Sequence, residues 1–329
     1  MKKNCKFNGL VSLTGLCIAI ILFSCNQPAK TKDDKIKIIG FLDYVEDPTL
    51  ALSKKGFLDA LADSGFSEGK NTLEVIYKNA QGDQPTLLQA ADLLISKHPI
   101  LIATNTTLAT VNTVQRTKEI PVFMMVSPRP DIAKLTDTNG KAPANLFGIY
   151  ETLDYIDTSV TLITKLFPKA KKVGTVYSQS ESQSVDALNR LKAGCSRMGL
   201  QLELLPVTNS SETQLVVQSL LNKNIDVFFA LPDNVIFSSF ETIARSCNEK
   251  NIPILTSEAG LVSRGAIASY GADFYQWGYQ SGLQAAQFLK QGNSNGIAPE
   301  IVQLRNRVYN PEVAKKYNVI PDSSFSIMK

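Results

Sequence analysis

Histidine is almost missing from this chain: His98 is the single one in 329 residues. A protein so poor in histidine offers no HExxH zinc site and no imidazole base beside a nucleophile. His98 itself precedes an apolar stretch, on the side away from the sheet edge where ligands bind. No glycine-rich phosphate loop is present either, so hydrolase and NTPase chemistry lack their parts. Gly292-Asn293-Ser294-Asn295-Gly296 spells G-x-S-x-G. It follows a helical stretch with no strand before it, which the nucleophile elbow requires. We read the chain as a non-enzyme with no cofactor and no metal.

Charge of one sign is also scarce. The formal net charge is +4, and without Lys2, Lys3 and Lys6 the count falls to 31 basic against 30 acidic residues. That balance excludes a nucleic-acid footprint. Residues 1–24 have a basic start and an apolar run from Leu16 to Phe23, too short to span a bilayer and built like a secretory signal. The run reaches Leu22-Phe23-Ser24-Cys25, which resembles a bacterial lipobox. Cys25 is then the expected lipidation site and membrane anchor, the alternatives being an unlipidated signal or a short uncleaved anchor. Five cysteines become two once Cys5, Cys17 and Cys25 are set aside. Cys195 and Cys247 fall in helices expected on opposite faces of one sheet, so a disulfide is not expected.

What is plentiful is alternation. After a polar tether over residues 25–35, apolar strands at 36–42, 72–77, 100–103 and 121–126 alternate with helical stretches at 50–64, 84–96 and 108–116. The run repeats at 172–177, 201–205, 226–230 and 253–255 with helices at 184–198, 212–222 and 235–249. Leu88, Leu93, Leu94, Ile102 and Ala103 fall 127 positions before Leu215, Leu220, Leu221, Phe229 and Ala230. A helix at 273–290, a strand at 301–308 and a short helix at 311–317 follow. The length suits two domains. The expected fold is therefore α/β, with two doubly wound parallel-sheet, Rossmann-like lobes. Residues 36–127 with about 264–293 are assigned to the N-terminal lobe, and about 148–260 with 294–329 to the C-terminal lobe. Crossings between them are expected near 127–131, 147–151 and 258–262.

Right-handed crossovers and a strand order of 2-1-3-4 put the switch point between the first and third strands of each lobe. Ligand contacts are expected from 43–48, 104–107 and 127–131 in one lobe, and from 178–184, 232–234 and 257–260 in the other. The candidate ligand-binding residues are Asp43, Tyr44, Asn105, Thr106, Ser127, Ser178, Ser180, Asp233, Asn234 and Glu258. Hydroxyls and helix-start N–H groups at Asn105, Thr106, Ser178 and Ser180 suit a carboxylate, though an ordinary N-cap explains each equally. Asp233 suits an ammonium, or serves as a cap; Glu258 is the second candidate for the cation. Tyr44, Tyr150 and Tyr177 stand near the same edge and suit an aromatic wall. Trp277, well past the cleft loops, is read as packing rather than as a ligand platform.

The stretch Ser257-Glu258-Ala259-Gly260 with Gly265-Ala266-Ile267-Ala268-Ser269-Tyr270-Gly271 resembles the S-E-(D/A)-G…G-A-(L/I)-A-(S/T)-Y-G segment of ABC-transporter substrate-binding lipoproteins related to the tryptophan/phenylalanine-binding proteins. Residues 178–184 resemble that family's (N/S)-x-S-E-x-N-S, and Asp233-Asn234 its D-N. Pro48 and Leu50 match its Q-x-V-x-H-P-x-L-D, whereas Asp43 and Asp47 replace the Gln and His. Ser127-Pro128-Arg129-Pro130 replaces a T-D-P. The resemblance implies a type I periplasmic-binding-protein-like architecture with a three-segment hinge. It also implies an extracytoplasmic binder of a small molecule, an amino acid and an aromatic one in class, that serves an ABC permease and its ATPase. A different small polar solute, or a sensor that hands ligand state to a partner without transport, are the alternatives.

Overall fold

The computed structural model describes residues 36–328. The expected export signal, the expected lipidation at Cys25 and the expected tether all fall on residues outside those described. The first lobe begins with β1 (Lys37–Asp43), α1 (Pro48–Asp63), β2 (Leu73–Asn79), α2 (Gln84–Ser96), β3 (Leu101–Asn105), α3 (Thr107–Arg116), β4 (Val122–Pro128) and β5 (Leu146–Glu151). The second contains α4 (Tyr155–Leu166), β6 (Lys172–Tyr177), α5 (Ser182–Arg197), β7 (Gln201–Pro206), α6 (Thr213–Leu221) and β8 (Val227–Ala230). It continues with α7 (Asn234–Ser238), α8 (Phe240–Glu249), β9 (Ile254–Thr256), α9 (Ala259–Val262) and β10 (Ala268–Ala272). The chain then runs through α10 (Phe274–Gln291), β11 (Glu300–Ile301), β12 (Arg305–Tyr309), α11 (Pro311–Lys316) and β13 (Ser326–Ile327).

Two sheets result, ordered β2-β1-β3-β4-β5-β11 and β7-β6-β8-β9-β10-β12-β13. All pairings are parallel except β10 with β12. Both sheets have the 2-1-3-4 order, so the carboxyl ends of β3 and β8 occupy equivalent places, as the internal repeat requires. Near-continuous apolar strands such as Leu101–Asn105 and Val227–Ala230 are buried along their whole length, because helices cover both faces. Phe41, Phe57 and Phe123 fill one core, and Phe228, Phe229 and Phe240 the other.

The lobes are bounded differently from the sequence expectation. β5 pairs with β4 and belongs to the first sheet, although the second lobe was expected from about residue 148. β10, expected in the first lobe, pairs with β9 in the second. The strand expected over 301–308 is two strands, β11 beside β5 and β12 beside β10. The chain therefore passes between the sheets after Glu151, at Asp273 and at 302–304, not at 127–131 or 258–262. Hydrophobic periodicity marks a strand but does not say which sheet it joins. The three crossings are tied together. Arg305 grips the buried Glu151 with Nε and Nη2 at 2.8 and 2.7 Å, and the Asp273 N–H donates to Leu304 O at 3.2 Å.

α1 starts where Asp47 accepts the N–H groups of Thr49 and Leu50 and Pro48 occupies the first turn. α10 ends at Gly292, whose φ of 71° is the left-handed C-terminal cap. These two helices pack at backbone distance: a Cβ on Gly278 would lie 1.8 Å from the Ser53 carbonyl oxygen. Gly278→Ala is therefore expected to lower stability by about 1–3 kcal/mol through overpacking, read by denaturant unfolding. An unchanged midpoint would show that the helices separate without cost.

Candidate functional site

A cavity lies where the carboxyl ends of the two sheets face each other. The first lobe contributes Thr106 from the start of α3 and Val126, Ser127 and Pro128 from the end of β4. Leu153 and Tyr155 come from the first crossing, and Phe274 and Trp277 from the second. The second lobe adds Gln183, Pro232, Asn234, Phe237 and Glu258. The register of β4 against β5 shifts between Met124 and Ser127, a bulge that turns Val126 and Ser127 toward the cleft. Thr106, Val126 and Leu153 have φ of 82°, 48° and 63°, a left-handed conformation that costs about 1–3 kcal/mol at each such residue. Three strained residues lining one cavity mark a site held in shape for something other than stability.

One end of this cavity is aromatic. Phe274 meets Phe237 and Trp277 edge-on with ring centroids 6.1 and 5.8 Å apart. The Trp277 indole donates to Ile149 O at 2.8 Å, which fixes its plane against the end of the first sheet. Glu258 stands beside this wall, buried, and is the carboxylate in the lining among the described residues. Its Oε1 accepts the Tyr155 hydroxyl at 2.7 Å and the Ser257 hydroxyl at 2.9 Å. No cation pairs with it among the described residues. Burial pushes its pKa up to about 8, against the lowering effect of the two hydroxyls, and the Glu151 charge adds to the rise.

Two atoms of the lining residues are orphans. Thr106 is the cap of α3 yet its hydroxyl makes no capping bond, and its Oγ1 is buried without a partner among the described residues. The first-turn N–H groups of α3 are thus left to whatever enters the cavity. Gln183 Oε1 is likewise buried and unpartnered. Behind it Glu181 is raised well above the usual glutamate range, first by burial and then by the charge of Asp233.

Of the ten residues expected from the sequence, Thr106, Ser127, Asn234 and Glu258 line the cavity. The others do not. Asp233 is a cap with no spare acceptor capacity: Oδ1 takes the N–H groups of Val235 and Ile236, and Oδ2 takes the Ser178 N–H at 2.7 Å and the Ser184 hydroxyl at 2.6 Å. Asp43 turns into its own lobe, bonded by Tyr77 at 2.8 Å with Lys54 at 3.6 Å. Asn105 spends its amide on Leu50 O and Ser53 Oγ at 3.1 and 3.0 Å. Ser178 and Ser180 share a hydrogen bond at 2.9 Å, and Ser180 faces an outer groove. Tyr44 stands at a second mouth, its hydroxyl bonded to Gly82 O at 2.7 Å. Tyr150 packs beside the Val114–Val122 cluster, and Tyr177 takes a bond from Gln179. Gln183 falls in the 178–184 loop expected to touch ligand but is not among the ten named residues, Tyr155, Phe237 and Phe274 lie outside every expected loop, and Trp277 reads in sequence as packing. Their signal is positional: Tyr155, Phe274 and Trp277 sit one turn beyond the crossings, which the sequence reading misplaced.

The lobes touch across the cleft. Arg264 Nη1 of the second lobe lies 2.6 Å from Asp47 Oδ2 of the first, and a Cβ on Gly260 would lie 2.1 Å from the Thr49 methyl.

Two parallel α/β lobes joined by three crossings, with a cavity between their carboxyl edges, define a binding protein of the type I periplasmic-binding fold. Distant solute-binding proteins such as a leucine-binding protein from Thermotoga maritima share it at 11% identity and a TM-score of 0.58. The chain belongs to the ABC transporter substrate binding protein family, whose sequence model matches residues 36–327. It is 35% identical over 274 residues to the tyrosine-binding protein of Clostridioides difficile strain R20291, covering 83% of this chain and 78% of that one. It resembles an ABC domain in complex with L-Trp from Streptococcus pneumonia at 27% identity, covering 88% of this chain and 97% of that one, with a TM-score of 0.80. Against a ligand-free, open substrate-binding protein with adhesive properties from Clostridium difficile, at 28% identity and covering 89% and 100%, the TM-score is 0.64.

Glu258 gives the site a pH dependence. A glutamate whose pKa is raised from 4.5 to about 8 stabilises this closed form below 4.5 and loses that contribution as pH climbs toward about 8. The ligand-free melting temperature is expected to fall over that window, and Glu258→Gln to flatten the fall. An identical pH profile in the variant would show that Glu258 is hydrated and ionised throughout.

Proposed function

We propose that the protein captures an aromatic amino acid between its lobes and presents it to an ABC permease and its ATPase for import. The carrying observation is Glu258, a buried carboxylate without a cation, set against the wall of Trp277, Phe274 and Phe237. The ligand ammonium pairs with Glu258 and lies within reach of the aromatic faces. Its carboxylate takes the Thr106 hydroxyl and the open first turn of α3, where the helix dipole favours an anion. The ring fills the apolar volume. The tyrosine-binding relative and the L-Trp complex support an amino acid with an aromatic side chain.

Calorimetric titration with the twenty amino acids tests this reading. Wild type is expected to bind aromatic ones, and Glu258→Gln to weaken them by roughly thirtyfold or more, since a buried cation loses its partner. Trp277→Ala is expected to cost at least about tenfold. Asp233→Ala, by contrast, is expected to lower stability through lost capping more than it changes selectivity. Binding of no amino acid by wild type, or full affinity in Glu258→Gln, would sink the assignment.

The exported, lipid-anchored location belongs to the same reading, with Cys25 as the acylated residue. Cys25→Ala is expected to abolish labelling by a fatty-acid analogue in the native host. Undiminished labelling would place any lipid elsewhere.

A further inference from the structure

We infer that Gln183 reads the ring of the bound amino acid, accepting a hydrogen bond from a ring-borne donor, so that the site favours tyrosine- or tryptophan-like ligands over phenylalanine. This rests on the aromatic amino-acid reading above and adds a choice among rings.

Gln183 is the second residue of α5, 7% exposed, and lies in the cavity wall. Its Nε2 donates to Glu181 Oε2, and its Oε1 is buried with no partner among the described residues. The surroundings of Glu181 settle which way the amide faces. The same Oε2 also accepts the backbone N–H of Asn234 at 3.1 Å and its Nδ2 at 2.8 Å. The two Asn234 donors alone make that oxygen an acceptor, with any proton of the buried Glu181 on its other carboxyl oxygen. The Gln183 nitrogen must therefore face Glu181, and its oxygen the cavity. Buried amide oxygens without a donor are rare in folded proteins and call for an explanation.

The two orphan atoms of the cavity ask for opposite partners. Thr106 Oγ1 is a hydroxyl and can donate to a carboxylate. Gln183 Oε1 can only accept, so it repels a carboxylate and needs an N–H or O–H. Position tells which one. β9, whose last residue Thr256 stands two before Glu258, and β6, whose last residue Tyr177 leads through a short loop to Gln183 on α5, are separated by β8. Their ends are two ladder spacings apart, about 9–10 Å. That span is comparable to an aromatic amino acid measured from its ammonium to its ring's far edge. Pro232 and Phe237, from the loop and helix after β8, line the wall between. With its ammonium at Glu258, the ligand lays its ring across Pro232 and Phe237 and brings a phenol O–H or indole N–H to Gln183. A phenyl ring reaches the same place and leaves the amide oxygen unpaired. Sites that hydrogen-bond a ligand group discriminate against the analogue lacking it far better than apolar pockets discriminate by size.

The test is calorimetric titration of the wild-type protein with tyrosine, 4-aminophenylalanine, phenylalanine and 4-fluorophenylalanine, repeated with Gln183→Met after its melting temperature is checked. Wild type is expected to bind the two donor-bearing ligands at least about tenfold more tightly than the other two. Gln183→Met is expected to close that gap by weakening the donor-bearing pair while leaving the others within about threefold. Wild-type affinity for phenylalanine equal to that for tyrosine and 4-aminophenylalanine overturns the inference without reference to any variant. An equal loss for all four in Gln183→Met overturns it too, making Gln183 a structural residue. If wild type binds none of the four and no tryptophan, the aromatic amino-acid reading falls and this inference with it.

Discussion

A carboxyl group shut away from water with only hydroxyls for company is the constraint on which the cleft turns. Glu258 sits at the end of β9 with Tyr155 and Ser257 as its donors. Two neutral hydrogen bonds do not replace the hydration of a charge, so the closed cavity favours a neutral Glu258 unless a cation enters. Closure and the arrival of positive charge are therefore linked. The groups that enforce the link come from different parts of the chain. Tyr155 arrives from the first crossing and Trp277 and Phe274 from the second, so the walls that exclude water from Glu258 assemble only when the two lobes are in this relation.

The first lobe transmits that relation through two helices. α10 follows the second crossing and carries Phe274 and Trp277 at its start. It packs on α1 so closely that Gly278 rests on the Ser53 carbonyl. α1 in turn begins at Asp47, which both caps the helix and meets Arg264 of the other lobe. The aromatic wall of the cavity and the rim contact of the cleft thus belong to one rigid pair of helices. Asp47 replaces the His of the resembled family pattern, and its departure is taken up at this rim rather than in the ligand cavity.

Much of the architecture was legible because parallel sheets announce themselves. Strands such as Leu101–Asn105, buried on both faces, read as continuous apolar runs, and the spacing between them leaves room for the helices that Asp47 and Asp83 are found to cap. The loops at the switch points were legible for the same reason, and Thr106, Ser127, Asn234 and Glu258 followed from them. What sequence could not show was which polar atoms the protein uses up itself. Asp233 and Glu258 are both acids after a strand and before a helix. Only geometry reveals that Asp233 is encircled by four donors while Glu258 has an oxygen to spare. The aromatic wall was missed for a different reason. It comes from residues one turn past the crossings, and which strand carries the chain across is decided by pairing between distant segments, to which periodicity is blind.

The rim contact bears on where the energy of closure comes from. Arg264 keeps Glu241 at 2.8 Å and the Phe237 carbonyl at 2.8 Å, both within its own lobe. If the lobes part, Arg264 stays paired and Asp47 still caps α1. Forming the contact between Arg264 and Asp47 strips water from both groups, and such pairs gain little beyond what desolvation takes away. The contact thus selects the closed geometry without supplying much of its stability. Glu258 opposes closure while it is charged. The balance falls to the ligand, whose ammonium relieves Glu258 and whose carboxylate satisfies Thr106 and the open turn of α3. A protein arranged in this way closes firmly only on a molecule that carries both charges.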